Sequence, residues 1–139
     1  PAGEAYIAPV EGTANGTLVV DASMAGLGVV PSPLTFTIRD GRATSVSGPG
    51  SDILQAAWAA VGDAATEVAE LGIGTNDAAR VIGKVLEDEK VFGTVHVAFG
   101  NNLHFGGVND VPYHADGVMT CPTLELDGVE VIRDGVPVF

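Results

Sequence analysis

The sequence predicts an α+β fold: a strongly bent, mostly antiparallel sheet or partial barrel packed by two helices. Three observations support this. Apolar residues recur with a period of two at both ends of the chain, helical spacing fills the middle, and 19 glycines and 8 prolines punctuate the 139 residues. Strands, then helices, then strands is α+β order rather than regular alternation, and the punctuation suits short strands joined by tight turns.

Residues 5–10 form the first expected strand, followed by a turn over 11–16 that ends in Asn15-Gly16. Residues 17–21 are β-branched and apolar, a second strand. In 34–39 the order Leu, Thr, Phe, Thr, Ile, Arg alternates as a half-buried strand does, and Asp40-Gly41 turns it onto 43–47. After Gly48-Pro49-Gly50 the period changes. Leu54, Trp58, Val61, Ala65 and Val68 follow at helical spacing, which predicts a helix over 52–69 with Ser51 as its cap.

Gly72 to Asn76 breaks that helix. Asn76 or Asp77 is expected to cap a second one running to about Glu87, with Ala79, Ile82, Val85 and Leu86 on one side. Residues 93–99 return to strand, 100–111 form a polar loop, and 113–126 look extended. Asp127-Gly128 and Asp134-Gly135 then divide the end into a meander. The length corresponds to one domain over 1–139 with a sizeable core.

Charge narrows the partners. Eighteen acidic residues stand against six Lys and Arg, a formal net charge of −12, so the basic footprint of a nucleic-acid or anionic-membrane binder is missing. A negative field suits cations, metal ions above all. The single cysteine, Cys121, allows neither an internal disulfide nor a thiolate metal site. No apolar run approaches the roughly 18 residues of a membrane helix, and a cytoplasmic location is expected.

All three histidines, His96, His104 and His114, fall between residues 96 and 114. His96 lies among apolar strand residues, where a satisfied core histidine is the ordinary reading. His114 and Asp116 lie two apart, so in a strand both point to one side, as metal ligands or as a carboxylate orienting an imidazole. The plainer alternative is that Asp116-Gly117 is another turn. Glu70, placed at a helix C-terminus, would meet the negative end of the helix dipole. Glu87-Asp88-Glu89 reads as a solvated helix end.

Taken together, several segments resemble the aminopeptidase T family of metallopeptidases. They are Pro1 to Pro9, Glu70 to Asn76, Asp88-Glu89-Lys90 leading to 93–100 with His96, His114-Ala115-Asp116, and the closing phrase 122–128. The resemblance covers nearly the whole chain in order and corresponds to the C-terminal, metal-bearing half of those enzymes. It implies a larger parent with an N-terminal domain, assembled as a homo-oligomer, a dimer. It also implies a metal-dependent hydrolase acting on a peptide or small-amide N-terminus.

Carried over by position, the family's metal ligands fall on Glu4, Glu70, His96, His114 and Asp116, with Glu11 a neighbour that could replace Glu4. Such a set would hold two zinc, cobalt or manganese ions, and Glu70 could shuttle a proton. The family's tyrosine is replaced by Leu103, which leaves His104 or Tyr113 to stabilise the intermediate. A related branch opens dihydroxypyridine rings with one Fe(II). For that reading His114 and Asp116 would be ligands and His96 a third. A metal-dependent binding or assembly domain without catalysis is the third possibility.

Overall fold

A computed structural model describes residues 2–138, so the Pro1 end of the first resembling segment lies outside the described residues. The expected class is what the structure shows: antiparallel sheets with two helices. The sheets do not close into a barrel.

The largest sheet has six strands. In spatial order they are β1 (Glu4–Ile7), β7 (Val68–Gly74), β8 (Val95–Gly100), β9 (His114–Met119), β3 (Ser23–Met24) and β4 (Gly28–Val29). A second sheet pairs β2 (Gly16–Val20) with β5 (Leu34–Arg39) and β5 with β6 (Arg42–Ser47). The third is a meander of β10 (Leu124–Leu126), β11 (Val129–Arg133) and β12 (Val136–Pro137). Its turns use Asp127 (φ 52°) and Asp134 (φ 50°), each followed by a glycine at φ 77°, which suits the short polar side chain that tolerates left-handed backbone.

The core lies between the six-stranded sheet, the β2-β5-β6 sheet and α1 (Ser51–Val61). Phe36 and Phe99 stack with centroids 5.0 Å apart, and Trp58 meets Phe99 edge-on at 6.1 Å. Both phenylalanines are fully buried.

Two helix expectations need correction. The helix over 52–69 ends at Val61, because Gly62 turns at φ 103° while its N–H donates to the Trp58 carbonyl. A short 3-10 turn, Asp63–Thr66, follows, and Val68 starts β7. Val61, Ala65 and Val68 do keep helical spacing, but it spans three different elements. The second helix shrinks to α2 (Val85–Asp88). Before it, Asn76 caps only a local turn, accepting from the Ala78 N–H at 2.9 Å. Ile82 and Leu86, expected on an apolar face, are exposed.

Asp88 and Glu89 are buried rather than solvated. The Asp88 carboxylate accepts the N–H groups of Ile82 (2.7 Å) and Gly83 (3.0 Å), closing the loop that carries Glu89 inward.

Candidate metal centre

Strand register assembles the site. Glu70, Ala98 and Asp116 sit side by side across β7, β8 and β9; the next row is Gly72, His96 and Val118. His114 lies opposite Gly100, and Glu4 opposite Gly74. Directly paired residues share a face, as do residues two apart on one strand. Glu4, Glu70, His96, His114 and Asp116 therefore all rise from one face of the sheet. Glu70 is mid-strand and does not end a helix. Asp116-Gly117 is no turn: a Cβ at Gly117 would lie 2.6 Å from Val20 Cγ2, so the glycine lets β9 pack against β2.

Glu70 is the hub. Its Oε1 lies 3.2 Å from His96 Nε2 and its Oε2 3.3 Å from His114 Nε2. His114 Nε2 is also 3.4 Å from Asp116, and His96 Nε2 3.4 Å from Glu4. Two neighbours join them: Glu89, expected at a solvated helix end, and Lys90. The Lys90 ammonium binds Glu4 at 3.0 Å and also contacts Glu89. The missed signal was the run of two acids and a base in Asp88-Glu89-Lys90 immediately before a turn into β8.

Three triads have ligand atoms within 4.8 Å of one another: Glu4, Glu70 and His96; Glu70, His114 and Asp116; Glu89, His96 and Asp116. Each contains one imidazole. His96, His114 and Asp116, the trio expected for iron, are not one of these three groups among the described residues. Glu70 connects the two histidines instead.

The charges are strongly coupled. Burial by itself would raise the Glu70 carboxyl, but the bonds from His114 and His96 and their positive charge outweigh it and hold it at about 2. Burial by itself would lower His114, yet Asp116 and Glu70 push it up to about 10. His96 is raised for the same reason, mainly by Glu70 against the opposing effect of burial. Burial raises Glu89, with the charges of Asp116 and Glu4 adding to it against Lys90.

The two imidazoles are held differently. His114 Nδ1 lies 2.8 Å from the Asn101 carbonyl, which turns Nε2 toward the carboxylates, and Phe105 stacks on the ring at 5.0 Å. His96 Nδ1 is buried without a partner. Its ring instead lies over Gly72, where a Cβ would come within 2.0 Å of Nε2. The cluster opens into a cleft of about 250 Å³ whose other walls include Tyr6, Leu86 and Phe105.

The remaining candidates lie elsewhere. Glu11 points away from the cluster and accepts from Asn102 and the Val108 N–H, both at 2.9 Å, which holds its carboxyl below the usual range. His104 is exposed on a 3-10 turn, Leu103–Phe105, facing a neighbouring cleft. Tyr113 precedes His114, packs against the core and buries its hydroxyl without a partner. Neither His104 nor Tyr113 lines the cluster's cleft. Among the described residues no helix is long and apolar enough to cross a membrane.

Imidazole nitrogen and carboxylate oxygen are donors that suit iron(II), as they suit several other divalent metals. Four carboxylates converge here with two imidazoles, and these oxygen and nitrogen donors are of the kind that hold a divalent ion, so the donor set fits a bound metal.

Comparison with known proteins overturns the aminopeptidase T resemblance. A family model described as NicX, 2,5-dihydroxypyridine 5,6-dioxygenase, matches residues 1–138. No curated protein sequence matches the chain. Among solved structures, the 2,5-dihydroxypyridine dioxygenase of Pseudomonas putida KT2440 is similar, with a TM-score of 0.85 and 22% identity. That match covers 96% of this chain and 42% of the other, so the present chain spans less than half of that protein's length. The similarity in structure speaks for the fold. The hydrolase, peptidase and zinc, cobalt or manganese expectations came with the peptidase resemblance and fall with it. The shared donor types explain the error, since carboxylates and imidazoles serve hydrolysis and oxygenation alike. The family match extends over essentially the whole sequence, and the chain belongs to the NicX, 2,5-dihydroxypyridine 5,6-dioxygenase, family.

Proposed function

We propose that this chain is the metal-holding part of an iron(II)-dependent, ring-cleaving dioxygenase whose substrate is a dihydroxylated pyridine. The observation that carries the reading is the convergence of Glu70, His114 and Asp116 beside a cleft walled by Tyr6 and Phe105. The family to which the chain belongs favours oxygenation over other uses of such donors. When bound, iron(II) supplies the one-electron chemistry through which dioxygen reacts with a closed-shell ring.

The chain's own residues have distinct tasks. Glu70, His114 and Asp116 hold the ion, and His96 steadies the other oxygen of Glu70. Asn101 and Phe105 fix the His114 ring in position and plane. Tyr6 meets Phe105 edge-on at 5.3 Å, giving the cleft an aromatic side against which a flat heteroaromatic ring can lie. Lys90 and the carboxylates make much of the remaining lining polar. The small-molecule partner is then a dihydroxypyridine in place of a peptide or amide.

The test uses the intact protein, loaded anaerobically with Fe(II) and mixed with 2,5-dihydroxypyridine and oxygen. Ring absorbance should fall with equal consumption of dioxygen, and His114→Ala or Asp116→Ala should lower kcat at least about 100-fold. An iron-loaded protein that consumes no oxygen overturns the enzymatic reading and leaves a metal-dependent binding or assembly domain.

A further inference from the structure

Lys90 is a lysine in an unusual place. Its side chain is 8% exposed, and its ammonium lies 3.0 Å from Glu4 and in contact with Glu89. Of the three close triads, one contains Glu4 and another contains Glu89. Lys90 therefore engages a carboxylate in each of them. The third triad, Glu70, His114 and Asp116, contains neither of these carboxylates.

A divalent ion at Glu4 or Glu89 would sit beside a positive charge joined to the same carboxylate. The ammonium has no easy retreat, because its side chain is buried and both of its carboxylate partners belong to the cluster. A charge tethered to the chain is also present at any metal concentration, so a free ion must displace it to enter.

We propose that the Lys90 ammonium is the cluster's second cation, so that the chain holds one metal ion, at Glu70, His114 and Asp116, and not a pair. The inference rests on the reading that this cluster holds a metal. It adds a reason for the count: the acids that could complete a second site are already neutralised from within. Lys90 is here a positioning residue that sets stoichiometry.

The experiment counts Co(II), an air-stable stand-in for Fe(II), per chain of the intact protein after equilibrium dialysis. Wild type should bind one ion, Lys90→Gln two, and Lys90→Arg, which keeps the charge, one. Two ions in wild type overturn the inference, as does one ion in a folded Lys90→Gln. No ion in wild type overturns the reading of the cluster as a metal site, and the inference with it. If Lys90→Gln folds only with added metal, rescue should require two equivalents of Co(II). Rescue by one equivalent, or none at any concentration while Lys90→Arg folds, overturns the inference.

Discussion

Gly72 lies directly opposite His96 on the neighbouring strand, and a single added carbon at Gly72 would reach within 2.0 Å of the imidazole Nε2. The absence of a side chain on β7 is thus what lets a ring on β8 lean toward Glu70 and Glu4. Gly72→Ala should leave the sheet paired, since no left-handed backbone is needed there, but should push His96 aside. Metal affinity is expected to drop about 10- to 100-fold, the range typical of disturbed ligand surroundings, with far-ultraviolet circular dichroism unchanged. Unaltered affinity in equilibrium dialysis would show that His96 has no part in holding the ion.

In the metal-free protein the cluster should make stability depend on pH in two windows. Glu70 has a folded value of about 2 against an ordinary 4.5, so its contribution is complete above 4.5 and disappears as pH falls toward 2. His114 has a folded value of about 10 against 6.5, so its contribution is complete below 6.5 and disappears as pH rises toward 10. The two share one contact and are not additive. At about 1.4 kcal/mol per pH unit the upper bounds are roughly 3.5 kcal/mol for the acid limb and roughly 5 kcal/mol for the alkaline limb. Urea titrations from pH 2 to 10 in the presence of chelator should give a dome, and a flat profile would refute this account.

Metal uptake should run opposite to protonation. An ion must take Nε2 of His114 from a proton held up to about 10, so binding releases that proton. Between pH 6 and 9 the apparent affinity should rise by up to about tenfold per pH unit. Calorimetry in buffers of different ionisation heat measures the released proton directly; no release would mean that His114 is not a ligand.

Asn102 is fully buried and ties the loop beneath Phe105 together. It donates to Glu11 at 2.9 Å and accepts from the Asn109 N–H at 2.7 Å. Asn102→Ala should cost about 2 kcal/mol by leaving these groups unpaired. The same change should quicken proteolysis between residues 103 and 110 and weaken metal binding through the loosened Phe105. Denaturant midpoints and limited digestion are the measurements.

Phe99→Ala tests the core separately. The ring touches both Phe36 and Trp58 from the face of β8 opposite His96, and its loss should cost about 3–5 kcal/mol. Any protein that remains folded should keep its metal stoichiometry, because no donor changes.

Much of this was legible in the sequence where the signal was local. The alternation in 34–39 marks β5, and the Asp-Gly pairs at 40, 127 and 134 each place aspartate at positive φ. His114 and Asp116 share a strand and a face, as their spacing implied. What was not legible depended on long-range pairing. Glu70 sits in a strand because β7 is buried between β1 and β8, which overrides the helical spacing that runs up to Val68. Glu89 and Lys90 enter the cluster only because Asp88 folds the preceding loop back on itself. The choice between peptidase and dioxygenase was not written in the ligand types, which both chemistries share.

The strand register also limits how sequences of this kind can change length. Donors drawn from β1, β7, β8 and β9 meet because the strand register puts them on one face, and the two on β9, His114 and Asp116, are two positions apart. A one-residue insertion between His114 and Asp116 would send one of them to the opposite face, whereas several residues added to the loop over 101–111 would leave every pairing intact. Insertions and deletions among relatives should therefore collect in the connections and, inside these strands, occur only in twos or be absorbed by a bulge such as the irregularity between Val68 and Glu70.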